Sequence, residues 1–181
     1  METKFDASHL DVLAFARAQG HAQGHSSLED WARLREESLP TGWKTLQVQW
    51  QMQGRLQPRT GGADEVWVHV QAHAEVEMLC QRCLTPVVLP LQVDRDILFV
   101  ADEATAAELD DTLDDDVLVL SKDFDAQALV EDELIMALPL VPRHEQCPQA
   151  LPTQSVGEED LPERVHPFAA LAALKASQGK K

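Results

Sequence analysis

At 181 residues, 44% of them apolar and 25% charged, the chain has the composition of one ordinary globular domain, which excludes wholesale disorder. Its charge is lopsided: 15 Lys and Arg stand against 31 Asp and Glu, a net of −16 that repels phosphate backbones rather than gripping them. No apolar run approaches the roughly 18 residues needed to cross a bilayer, and the first residues, Met1-Glu-Thr-Lys-Phe-Asp6, lack the basic and apolar blocks of a secretory signal, so a cytoplasmic protein is expected.

In chain order, residues 1–40 predict two short helices. Asp6 can cap the first, which carries Leu10, Leu13, Ala14 and Arg17 at helical spacing and stops at Gly20. Ser26 and Glu29 have the spacing of a capping box for the second, with Leu28, Trp31, Ala32 and Arg35 following and Pro40 closing it. From 43 to 100 the period switches to two. Leu46, Val48, Trp50 and Met52 alternate with glutamines; after turn residues Arg55 to Asp64, valines and alanines alternate from Val66 to Cys80. A short reversal at Gln81-Arg82 leads to Val87, Leu89, Leu91 and Val93, again alternating, towards Ile97 and Phe99. Three strands with short links predict an antiparallel meander whose apolar face is covered by helices.

Residues 101–116 read as an acidic loop at the sheet edge, followed by a short strand over Val117 to Leu120. Asp125 then caps a helix over 125–138, ended by Pro139 and Pro142. Residues 151–166 read as a polar linker, and Pro167 opens a C-terminal helix over 167–176 carrying Phe168, Leu171 and Leu174. The expected fold class is α+β, a single domain over 1–181 with a short antiparallel β-meander packed against a few helices.

Three cysteines, an odd number, do not form a disulfide framework, and a reducing compartment keeps them as thiols. Cys80-Gln-Arg-Cys83 falls where two strands reverse, which brings both sulfurs to one point. His144-Glu-Gln-Cys147 offers a histidine and a third thiol with the same separation, and the four together make a Cys₃His set, a known structural zinc type. Buried or unliganded thiols are the other reading, because one CxxC alone is a weak signal. Thioredoxin-like redox chemistry expects a helix after the first cysteine, and the alternating run after Cys83 predicts a strand. The aspartates Asp110, Asp111, Asp114, Asp115 and Asp116 do not match a calcium loop and read as solvated. His69 and His73 share the polar face of one strand and read as a surface pair. No GxSxG, Walker A or GxGxxG motif occurs, so a non-enzymatic factor is expected.

Three stretches together resemble one family: Cys80-Gln-Arg-Cys83 at the end of a strand, Val130-Glu-Asp-Glu-Leu-Ile-Met-Ala-Leu-Pro-Leu-Val-Pro142 followed by His144, and His166-Pro-Phe-Ala-Ala-Leu-Ala-Ala-Leu-Lys175. In this order they are similar to the YceD family, the large ribosomal RNA subunit accumulation proteins of bacteria and plastids. The resemblance implies a role in synthesis, processing or stability of 23S rRNA and no catalytic residue. In relatives the gene commonly neighbours that of a small, basic large-subunit ribosomal protein. Members with more cysteines after the Pro-His region are better equipped for zinc; this chain has only Cys147 there, so the fourth ligand falls to His144.

Charge and family have to agree. Between Asp94 and Glu133 stand 15 acidic and two basic residues, and such a surface suits a basic protein. The expected partner is therefore a basic ribosomal protein or the large-subunit precursor, met through Asp110, Asp111, Asp114, Asp115 and Asp116. Arg55, Arg59 and Arg82, near sheet turns, are the expected local contacts with 23S rRNA; neither DNA nor a membrane is expected as a partner. The alternative is a small zinc-binding adaptor without a specific rRNA role, with a thiol oxidoreductase well behind.

Overall fold

The computed structural model describes residues 5–148, so the segments expected as linker (151–166) and C-terminal helix (167–176) lie outside the described residues. Five strands form one sheet in the order of the chain: β1 (His21–Ser27), β2 (Gln47–Gln57), β3 (Glu65–Leu79), β4 (Pro86–Val100) and β5 (Asp116–Val119). The first three pairings are antiparallel. The β4–β5 pairing is parallel, so the sheet is mixed rather than the purely antiparallel meander expected from the sequence. Helix α2 (Glu103–Asp110) makes the crossover that a parallel pair requires.

The alternation in β3 places Val66, Val68, Val70, Ala72, Ala74 and Val76 on a buried face. Register sets them beside apolar partners: Val48 opposite Ala74, Met52 opposite Val70, Ile97 opposite Val68. Two helices cover this face, α1 (Val12–Arg17) with Val12, Phe15 and Ala16, and α3 (Ala126–Met136) with Ala126, Val130 and Leu134. Both begin at an aspartate whose carboxylate accepts an N–H of the first turn, Asp11 from Ala14 and Asp125 from Ala128. Asp6, expected as the first cap, instead accepts from the Ser8 N–H in the turn before α1.

Residues 26–35 do not form the expected second helix. His21–Ser27 is the edge strand β1, and two 3₁₀ turns follow, Leu28–Asp30 and Leu34–Glu37. Leu28, Trp31 and Leu34 are all buried. Their spacing of three suits a 3₁₀ path, in which such residues eclipse. Ser26 makes no capping box; its hydroxyl accepts from Trp31 Nε1 at 2.9 Å. Half of the expected acidic loop is helical as well, α2 taking Glu103–Asp110. Asp102 accepts from the Thr105 N–H at 2.9 Å, and the alanine-rich segment behind it turns Ala106 into the core. No helix among the described residues is long and apolar enough to cross a membrane.

Candidate metal centre

The tip between β3 and β4 is a tight knuckle. Cys80 N–H donates to Thr85 O at 2.9 Å, and Leu84 N–H folds back onto Cys80 O at 2.8 Å. Closing this turn puts Leu84 in the left-handed region at φ 59, exposed to solvent. The chain leaving α3 then crosses the knuckle, where Pro142 O accepts from Gln81 N–H at 2.9 Å. Pro139 and Pro142 hold that exit extended. His144 and Cys147 are delivered beside Cys80 and Cys83 in this way.

One ligand atom from each of Cys80, Cys83, His144 and Cys147 lies within 4.8 Å of the others. Cys80 Sγ is 3.8 Å from Cys147 Sγ, and Cys83 Sγ is 3.4 Å from His144 Nδ1. With metal–sulfur bonds of about 2.3 Å and metal–nitrogen bonds of about 2.0 Å, a tetrahedron has edges of about 3.8 Å between sulfurs and about 3.5 Å from sulfur to nitrogen. The two observed edges match, so the donor set could hold a metal ion.

The protonation of the set agrees with that geometry. Burial pushes the Cys80 thiol up, yet the His144, Cys83 and Arg82 N–H groups and the His144 ring outweigh it and bring it down to about 5. The Thr85 hydroxyl, 3.1 Å from Cys83 Sγ, lowers that thiol against the effect of burial. Burial raises the Cys147 thiol, helped by the neighbouring sulfurs and opposed by Arg82. Hydrogen bonding to Cys80 raises the His144 ring. Hydrogen bonds thus favour the thiolate at Cys80 and Cys83, while burial and the neighbouring sulfurs disfavour it at Cys147.

A family model described as "Large ribosomal RNA subunit accumulation protein YceD" matches residues 68–175, more than half of the chain and both pairs of donors. The chain belongs to the YceD family. A curated YceD relative, the large ribosomal RNA subunit accumulation protein of Haemophilus influenzae, is 36% identical over 105 residues, 56% of this chain. The matched part spans about 60% of that relative's length. No solved structure matches the chain.

The YceD motif Val130–Pro142 has a visible structural use. Glu131, buried on α3, accepts the Arg33 and Leu34 N–H groups at 2.8 and 3.1 Å and Arg33 Nε at 3.0 Å. Asp132 takes the other arm of the same guanidinium. The five aspartates singled out from the sequence gather at the end of α2 and the start of β5, all exposed, and none forms an ion pair among the described residues. Other acids of the 94–133 stretch are engaged: Asp96 meets Arg55 at 2.7 Å, and Asp123 meets His9 at 2.6 Å.

The three arginines are not brought together. Arg55, stacked on Trp67, and Arg59, 3.9 Å from Glu65, stand at the β2–β3 end; Arg82 stands beyond Leu79 at the other end of the 15-residue β3. Such a strand is about 50 Å long. Nothing in the spacing of Glu131 announces Arg33, 98 positions away, and Thr85, two positions from Cys83, lies outside the CxxC pattern. Arg82 announces itself only through its place inside the CxxC.

Proposed function

We propose that this protein is a non-catalytic ribosome biogenesis factor that supports the accumulation of 23S rRNA through its synthesis, processing or stability. The observation that carries the reading is the YceD match over residues 68–175, which takes in the knuckle, α3 and the segment that crosses it. The H. influenzae relative is named for large ribosomal RNA subunit accumulation, and this chain takes its role from that likeness.

In this reading the four donors hold zinc as a structural ion. All four tetrahedral positions come from protein, which leaves no open position for a water nucleophile or a substrate. The five aspartates near α2, which form no ion pair among the described residues, meet a basic ribosomal protein or the large-subunit precursor through their exposed charge. RNA contact has the smaller share, at Arg55 and Arg59. The factor works in the cytoplasm, where thiols stay reduced.

The test is the ratio of 23S to 16S rRNA in cells depleted of this protein, with a plasmid-borne copy as control. We expect the ratio to fall and the plasmid to restore it. An unchanged ratio under several growth conditions would overturn the reading and favour a zinc-binding adaptor without an rRNA role.

A further inference from the structure

Arg82 sits between Cys80 and Cys83, yet the hydrogen bonds of its side chain run to the other half of the donor set. Its Nε donates to Cys147 Sγ at 2.9 Å, and one terminal nitrogen reaches the carbonyl oxygens of His144 at 3.3 Å and Glu145 at 3.5 Å. The guanidinium therefore ties the knuckle to the segment carrying the second pair of donors.

Among the described arginines, Arg82 is the one whose side chain donates to a sulfur. Arg33, Arg55, Arg59 and Arg95 each face a carboxylate. Arg82 faces none among the described residues, in a protein with 31 acidic side chains, and directs its charge at a sulfur instead.

A divalent ion bound by three thiolates and a neutral imidazole has a formal charge of −1, and Arg82 supplies the missing +1. From these contacts, and resting on the zinc reading above, we propose that Arg82 is the outer-sphere cation of the metal centre, a positioning residue for Cys147 rather than an RNA contact. A planar fork suits the task, because Nε meets the sulfur while the adjoining terminal nitrogen on the same edge reaches the carbonyls beside the ligand. An ammonium group supplies the charge without the fork.

The experiment uses the full chain, purified as wild type, Arg82→Gln and Arg82→Lys, with folding of each checked by circular dichroism. Zinc content is measured, zinc affinity is read by competition with a chromophoric chelator, and the sites are refilled with cobalt(II) for absorption spectra. Wild type should carry one zinc per chain and show tetrahedral cobalt bands with thiolate charge transfer. Arg82→Gln should keep those bands, since the four ligands remain, and lose affinity roughly 10–100-fold. Arg82→Lys should recover part of that loss. Wild-type affinity in Arg82→Gln would overturn the assignment, and weakened RNA retention with zinc affinity unchanged would return Arg82 to the RNA surface. If Arg82→Gln does not fold, Arg82→Lys decides: affinity equal to wild type overturns the proposal. Wild type without zinc or thiolate–cobalt bands removes the zinc reading itself, and the 23S ratio stands apart from both.

Discussion

A Cβ built on Gly20 would lie 2.3 Å from Phe15 Cδ2 and 2.9 Å from Phe5 Cε2, inside the edge-to-face pair those two rings make. The glycine is needed there for room. The left-handed residue that ends α1 is its neighbour Gln19, at φ 49, with Gln19 N–H donating to Ala16 O and Gly20 N–H to Phe15 O. Gly20→Ala should therefore cost about 1–3 kcal/mol in urea unfolding, the usual range for overpacking a filled site. A stability equal to wild type would mean that the rings shift freely. Among the site residues, the four donors were legible because each pair repeats the same two-residue gap. Their meeting was not legible, since it depends on the path taken by Leu138 to Arg143 across the knuckle.

At the scale of elements, β2, β3 and β4 could be read from alternation because each has one face in the core and the other in polar surroundings. β1 could not. His21-Ala-Gln-Gly-His-Ser-Ser27 has no apolar alternation, and its place in the sheet comes from pairing along β2. Helix α2 was hidden by its charge, although Asp102 and the alanines behind it favour a helix. Helix α3 was legible in its extent and not in its use. Its Glu131 stitches the turn at Arg33-Leu34 to the sheet cover, and its carboxylate satisfies a buried N–H at Leu34. Glu131→Ala should destabilise the fold by about 2–3 kcal/mol, mostly from that orphaned donor. Glu131→Gln keeps an acceptor for both N–H groups and should lose much less. Equal losses in the two variants, measured by urea denaturation, would assign the effect to the ion pair with Arg33 instead.

At the scale of the whole molecule, the net charge is −16, and its described acids divide between those that hold the fold together and those that face outward without a cation among the described residues. The outward group at Asp110–Asp116 is the densest run of exposed acids among the described residues and the proposed contact with a partner. Replacing Asp110, Asp114 and Asp115 by lysine should weaken co-sedimentation with large-subunit precursors, and the binding that remains should respond less to added salt. Unchanged binding with an unchanged salt response would remove these aspartates from the interface. The same triple substitution should leave the fold intact, because none of the three carboxylates bonds to another element among the described residues.

The separation of the two pairs of donors also sets an order of events during synthesis. Cys80 and Cys147 are 67 positions apart, and β4, α2, β5 and α3 all lie between them. A chain growing from its N-terminus exposes Cys80 and Cys83 long before His144 exists. Two thiols alone hold a metal weakly, so tight capture waits until α3 has docked and its exit has crossed the knuckle. On the zinc reading, loading of the centre is a late step in maturation, and a chain that carries its ion firmly is one whose sheet and helical cover are already in place.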